Sequence, residues 1–438
     1  MKYTPITLAH PDDLFAQQYR EAADRVMLEA GLDLYLLRRK ARPEFPFFDT
    51  KFNPNTGEDF PESSYDRLTG WFLGRGAEAC AAHLDTLEDL YSDPHHQQAV
   101  RQMLTELREH YLDALMTVLE RYGGSCPFIM DRSYQAADPW EAETEAKHKL
   151  LTAGTMFCAK GLLAIKDPRG VLLGKRLVRD YVDAAYVNRY APRGNEYEPD
   201  IHAQSSFMLA FGAIPLVMDV SDAEEQTQWA QLTADMLTHV IDTFYEPETG
   251  IMYDYVDFRT GVPLSKFNPG HLSELVGLAL QAADAVSSSE AEVSPHIHAV
   301  FNRAYTVLPS ALVRTWEAGY CNKHHGIYQF VDITSGTPIQ TDLPWWSLPE
   351  TMRAALRSAV VTDDVHVRTR LQEIYVVCSN DYFSYYINPA YGLFPFRTRS
   401  GENGRVLDSM PVLPEADPLY HTNLAWLDAR RMLDKVGR

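Results

Sequence analysis

Apolar residues recur along most of this chain at intervals of three and four, the spacing that gathers them on one face of an α-helix. Residues 12–40 carry the pattern clearly: Leu14, Tyr19, Ala22, Val26, Leu28, Leu32 and Leu36 fall at roughly helical intervals. The same spacing predicts helices near 67–90, 97–121, 145–164, 171–190, 199–218, 222–245, 269–286, 292–315, 343–360, 364–379 and 418–436. Short segments rich in Gly, Pro and Asn separate them, and two of these carry hairpin signals. Gly250-Ile251-Met252-Tyr253-Asp254-Tyr255-Val256 leads to a turn at Thr260-Gly261, and Gly326-Ile327-Tyr328-Gln329-Phe330-Val331 leads to one at Ser335-Gly336. Their likeness points to an internal repeat. No low-complexity linker divides the chain, so the reading is one catalytic domain over 1–438.

Twelve helices in sequential pairs can close into a toroid whose alternate members form an inner and an outer ring. The expected class is therefore all-α, an (α/α)6 barrel with short β-hairpins in its loops. Arg75 lies on the second predicted helix, His202 on the sixth, His271 on the eighth, Glu350 on the tenth and His421 on the twelfth. Each sits in the first half of an even-numbered helix. Antiparallel pairing makes the even helices run the same way, so their N-terminal ends meet at one mouth of the ring.

Composition narrows the partners. Of 438 residues 45% are hydrophobic, enough for a large core, and 40 Lys and Arg face 60 Asp and Glu for a net charge of −20. That balance disfavours nucleic acid and anionic membranes, which both call for a basic face. A neutral or cationic small molecule fits better, although acidity also serves plain solubility. The N-terminal residues lack the apolar core of a secretory signal, and no run approaches 18 apolar residues. Cys80, Cys126, Cys158, Cys321 and Cys378 are odd in number, scattered and without a CxxC pair, as expected of reduced thiols in a cytoplasmic protein. Neither GxGxxG nor GxxxxGK[ST] occurs. The expected state is a monomer or homodimer.

The chemistry concentrates in a few motifs. Asn268-Pro269-Gly270-His271-Leu272-Ser273-Glu274 opens one apolar helix and Leu419-Tyr420-His421-Thr422-Asn423 opens the last. Pro269 suits a first helical turn, which puts His271 and Glu274 three residues apart on one face. A histidine held by a carboxylate is suited to moving protons near neutral pH. The pair could also be an ordinary helix start or a metal half-site, but no further ligand stands at coordinating spacing nearby. Trp345 and Trp346, adjacent on the expected tenth helix, would face different ways, one toward a sugar and one into the core; Trp71 and Tyr65 are candidates of the same sort. Arg75 in an apolar helix needs a partner, either a structural carboxylate or a substrate oxygen held beside Glu350. Glu350 alone could be a first-turn dipole residue. His324 and His325 read as structural, and His95, His96, His296 and His298 lie near outer helices.

These motifs resemble the N-acylglucosamine 2-epimerase family, which includes cellobiose 2-epimerases and mannose-type aldose–ketose isomerases. Trp71-Phe72-Leu73-Gly74-Arg75 is similar to its W-x-x-G-R. Asn268-Pro269-Gly270-His271 with Glu274 matches N-P-G-H-x-x-E, Trp345-Trp346 with Glu350 and Met352 matches W-W-x-x-x-E-[AT]-M, and Tyr420-His421 matches the terminal aromatic-His. The likeness spans about 65–435. Two departures bear on the substrate. The family's sixth-helix Asn and His, four residues apart, have no unique counterpart in Asp200-Ile201-His202-Ala203-Gln204-Ser205-Ser206-Phe207. The Arg that follows the terminal His in many members is replaced by Thr422-Asn423.

The resemblance implies an (α/α)6 barrel that opens a reducing aldose and removes the proton next to its carbonyl. His271 and His421 would share the proton transfers, Glu274 and Glu350 would orient them, and Arg75 would stabilise the enediolate. Trp71, Trp345, Trp346, His202 and Tyr65 would contact sugar. No cofactor and no metal is implied. The rival reading is a glycan-cleaving hydrolase or lyase on the same toroid, with Asp200 and Glu350 as its carboxylates; a non-catalytic sugar-binding relative is a third.

Overall fold

The computed structural model describes residues 28–138, 149–193, 197–387, 397–407 and 416–436. Among them are twelve α-helices: α1 (Ala30–Ala41), α2 (Gly70–Leu90), α3 (Pro94–Arg121), α4 (Ala153–Ile165), α5 (Pro168–Tyr186), α6 (Ser205–Asp219), α7 (Ala223–Phe244), α8 (Pro269–Ser287), α9 (Pro295–Gly319), α10 (Ser347–Val361), α11 (Val365–Asp381) and α12 (Ala425–Val436). Each falls on one of the predicted stretches. Leu14, Tyr19, Ala22 and Val26 of the first stretch, and the opening of the fourth over 145–148, lie outside the described residues.

Local chemistry explains many of the starts. Asp93-Pro94, Asp167-Pro168, Asn268-Pro269 and Ser294-Pro295 each place a capping side chain before a proline in the first turn of α3, α5, α8 and α9. The cap accepts a backbone N–H that has no helical partner, and proline gives up a donor that would be orphaned there anyway. Every even helix except α8 begins later than periodicity predicts, and three of the delays fall at candidate site residues. Ile201–Ala203 is a strand paired with Tyr255–Asp257, so His202 stands opposite Val256 and α6 starts at Ser205. Trp345 and Trp346 form a turn before α10, and a π-turn over Tyr420–Leu424 precedes α12. Apolar residues buried in a short strand or turn look helical to a count of apolar spacing, which is why the boundaries moved.

The even helices pack successively: α2 on α4, α4 on α6, α6 on α8, α8 on α10 and α10 on α12. The π-turn before α12 packs back on α2 and closes the ring. The odd helices lie outside in an (α/α)6 barrel: α3, α5, α7 and α9 each pack on the even helices to either side, α11 packs on α10, and α1 packs on α3. Helix α4 is buried along its whole length, as expected of an element hydrophobic all round. Gly74 lets α2 approach it closely, since a Cβ there would meet the Phe157 backbone at 2.2 Å. A short strand precedes every even helix from α2 to α10, so the strands gather at the N-terminal end of the inner ring. The two predicted hairpin turns are built alike. Gly261 and Gly336 have φ of 69° and 68°, and their N–H groups donate to the carbonyls of Asp257 and Asp332 at 2.8 Å. No helix among the described residues is long and apolar enough to cross a membrane, and none of the five cysteines is in a disulfide.

Candidate active site

A cavity of about 630 Å³ lies at the N-terminal ends of the inner helices, within the usual size range of small-molecule sites. Its lining includes Trp71 and Arg75 from α2, His271 and Glu274 from α8, Trp345 and Trp346 from the turn before α10, and His421 from the π-turn before α12. Both tryptophans line it, in place of the expected division into one sugar-facing ring and one core ring. They precede the helix, so the angular offset of adjacent helical residues does not apply to them.

Glu350 stands directly behind His421. The His421 Nδ1 is 2.9 Å from Glu350 Oε1, and the other carboxylate oxygen accepts from Arg353 one turn further along α10. All three side chains are buried. Burial, then the nearby Arg75 charge, holds the His421 imidazole well below the ordinary histidine range, against the pull of Glu274. Burial raises Glu350, and Arg353 opposes that rise. With Arg353 favouring the carboxylate, Nδ1–H donates to Glu350 and Nε2 is left as the unprotonated nitrogen.

Glu274 belongs to this group. Ligating atoms of Glu274, Glu350 and His421 lie within 4.8 Å of one another, and Glu274 Oε1 is buried without a hydrogen-bond partner. Such a triad has the donor types of a divalent-metal site. Positive charge already stands close to it, however. Lys160, 1% exposed, ion-pairs with Glu78 at 2.9 Å and donates to the Tyr420 hydroxyl at 2.7 Å, while Arg353 sits on Glu350. Cations therefore press on the triad from the sides, and a metal would add repulsion.

The carboxylate beside His271 is Asp254, whereas the sequence suggested Glu274. Asp254 Oδ2 lies 3.9 Å from His271 Nδ1, a buried atom without a hydrogen-bond partner. Asp254 is fully buried. Gln204 Nε2 donates to its Oδ1 at 2.9 Å and the Asn268 N–H donates to its Oδ2 at 3.1 Å. The Asn268 side chain in turn caps α8 by accepting the N–H groups of Gly270 and His271. The Trp346 ring bridges the two histidines, with centroids 5.7 Å from His271 and 5.4 Å from His421, each at an interplanar angle of 35°. Gly270 makes room for it, because a Cβ there would come within 2.6 Å of the indole.

Arg75 is caged by aromatic faces: its guanidinium carbon lies 4.2 Å from the Phe157 centroid, 4.9 Å from Tyr420 and 5.3 Å from Trp71. Its Nε is buried without an acceptor. Asp417, also on the lining, is raised to about 6 by burial, with Arg75 opposing.

Two predicted contacts lie elsewhere. Tyr65 is buried under Arg42 and against Phe45, and donates to Asp49 at 3.3 Å, away from the cavity lining. His202, on its strand rather than on a helix, packs among Phe207, His239, Phe244 and Phe258; burial, then His239, lowers it to about 4. Alternating strand geometry turns its ring outward while Ile201 and Ala203 face the cavity. Asp200 is half exposed and ion-paired with Arg259 at 2.5 Å, off the lining. Sequence reasoning missed Asp254, Gln204, Lys160, Arg353 and Asp417. Lys160 had a signal, being the lone charge in the apolar run Ala153–Ile165; Asp254 and Gln204 stand in loops with none.

Residues 187–425 match the N-acylglucosamine 2-epimerase (GlcNAc 2-epimerase) family, more than half of the chain. The chain belongs to that family, and its class is sugar epimerase or isomerase. No curated protein matches the sequence. Among solved structures it is similar to the cellobiose 2-epimerase of Spirochaeta thermophila DSM 6192, with a TM-score of 0.68 at 11% identity over 99% of this chain and 100% of that one. A D-mannose isomerase gives 0.60 at 12% identity over 91% and 97%. An inactive variant of the GH76A α-1,6-mannanase of Salegentibacter sp. HEL1_6, in complex with α-1,6-mannotriose, gives 0.51 at 13% over 94% and 99%. At these identities the likeness is one of fold.

Proposed function

We propose that this enzyme epimerises or isomerises a reducing aldose of the mannose or glucose type at C1/C2, by histidine-mediated proton transfer through an enediol. The observation that carries the reading is the shared contact of His271 and His421 with the Trp346 ring. Two imidazoles, each with a carboxylate near its Nδ1, border one cavity. After ring opening, one histidine takes the C2 proton and the other returns a proton: to C2 from the opposite face for epimerisation, or to C1 for isomerisation. Arg75, caged and without an acceptor for Nε, is suited to the negative oxygen that develops between these steps. Trp71, Trp345 and Trp346 offer ring faces to the sugar's C–H surfaces. The fold likeness to a mannanase keeps hydrolysis as the comparison reaction, but Asp200 and Glu350 do not flank the cavity as a glycosidase pair requires.

The test is incubation of wild type, His271→Ala and His421→Ala with mannose, glucose, N-acetylmannosamine and cellobiose in deuterium oxide. Net conversion should vanish in both variants. Exchange at the proton-bearing carbon should survive in each from only one of the interconverting sugars. Near-native turnover in either variant removes that histidine from the reaction, and cleavage without label incorporation would establish the hydrolase instead.

A further inference from the structure

We infer that Asp254, clamped by Gln204, is the positioning residue for His271: it accepts the Nδ1–H and so reserves Nε2 for the substrate proton. This rests on the two-histidine reading above. Asp254 is fully buried on the loop between the strands Ile251–Met252 and Tyr255–Asp257, a costly place for a carboxylate unless its lone pairs are used. Two donors, Gln204 Nε2 and the Asn268 N–H, hold its oxygens, and its own carbonyl accepts the Gln204 N–H at 3.0 Å. The carboxylate is thus fixed from two separate loops. What it faces is the unpartnered Nδ1 of His271 at 3.9 Å. That gap exceeds a hydrogen bond, and catalytic contacts of this kind tighten when substrate seats. Of the other charged or titratable groups here, Lys266 and Tyr255 also act on or with Asp254, and Glu274 lies one turn along α8 toward His421. His271 is 30% exposed in its side chain, so without Asp254 the ring could protonate at either nitrogen. The two histidines are then built alike, His421 on Glu350 and His271 on Asp254. The second anchor is supplied by a loop, and the carboxylate three residues along the helix serves the opposite histidine.

The test is Asp254→Asn. An amide has one acceptor oxygen where Asp254 serves two donors and faces a third. The variant should lose on the order of 10²- to 10⁴-fold in kcat, through the wrong tautomer, with KM changed by less than about threefold. The acid limb of kcat/KM should move to lower pH, because imidazolium loses its counter-charge. Label exchange should fail from the sugar that His271 deprotonates and persist from the one that His421 deprotonates. Gln204→Met, which keeps bulk and removes the Nε2 donor, should reproduce the pattern several-fold more weakly, and decides the matter if the Asn variant does not fold. If wild type exchanges label but both folded variants match its kcat and pH profile, Asp254 is only structural and this inference is wrong. Absence of exchange in wild type with every sugar would instead overturn the two-histidine reading itself.

Discussion

The Nδ1 of His421 lies 2.9 Å from Glu350 Oε1, with both side chains buried and Arg353 held on the other carboxylate oxygen. Histidine, glutamate and arginine form a chain across the inner ring, from the π-turn before α12 into α10. The carboxylate does two things there: it orients an imidazole toward the cavity and balances a buried guanidinium.

Glu350→Gln should therefore fail on two counts. The amide keeps an acceptor for His421 but leaves Arg353 buried without its counter-charge, a loss of about 3–5 kcal/mol for a broken buried pair. Thermal denaturation should show a markedly lower Tm. Turnover of the folded fraction should drop roughly 10²-fold or more. A Tm and kcat close to wild type would mean that neither function rests on Glu350.

Gly270→Ala tests the seating of Trp346. The new methyl group would come within 2.6 Å of the indole, which lies between the two histidines. Overpacking of this kind costs about 1–3 kcal/mol. The indole should move, visible as a shift in tryptophan fluorescence, and kcat/KM should fall by more than Tm changes would explain. An unshifted spectrum with native kinetics would show that the ring has room to spare.

Acid stability should depend on His83. It is fully buried, with Nδ1 2.6 Å from the Ala79 carbonyl and Nε2 3.1 Å from the Asn423 amide. The geometry suits a neutral ring that donates once and accepts once. Burial lowers its pKa from 6.5 to about 4. Below pH 6.5 the unfolded chain takes up a proton that the folded ring refuses, so stability falls as pH drops toward 4, by roughly 3 kcal/mol in all. Denaturant titrations of His83→Gln should show a flatter pH dependence across that window. An identical slope in both proteins would assign acid lability to other groups.

Chelation should leave turnover unchanged. Glu274, Glu350 and His421 have metal-ligand chemistry, yet Arg353 is held on Glu350 and the Arg75 and Lys160 charges also act on His421, which disfavours a further cation. Activity after exhaustive EDTA dialysis, and its response to Mg²⁺, Mn²⁺ and Zn²⁺ added back, measures this directly. Loss with EDTA and recovery with one ion would place a metal among these three residues.

Most of the architecture was legible in the sequence because its causes are local. A 3.6-residue period places apolar faces on every helix, and Asn268 before Pro269 announces the start of α8 without reference to the rest of the chain. The N-terminal gathering of Arg75, His271, Glu350 and His421 follows from helix alternation alone. Tertiary structure decided which partner each group meets. Glu274, three residues from His271, stands with Glu350 and His421 because α10 packs on α8 and the π-turn that carries His421 packs on α10. Asp254 reaches His271 across 17 positions of sequence, held by Gln204 from a third segment. His202 leaves the site because a three-residue strand stands where a helical turn was expected, and strand geometry alternates its faces. Spacing along a chain specifies a face. The charge opposite that face depends on how the ring closes, because electrostatic partners are set by distance through space and not along the backbone.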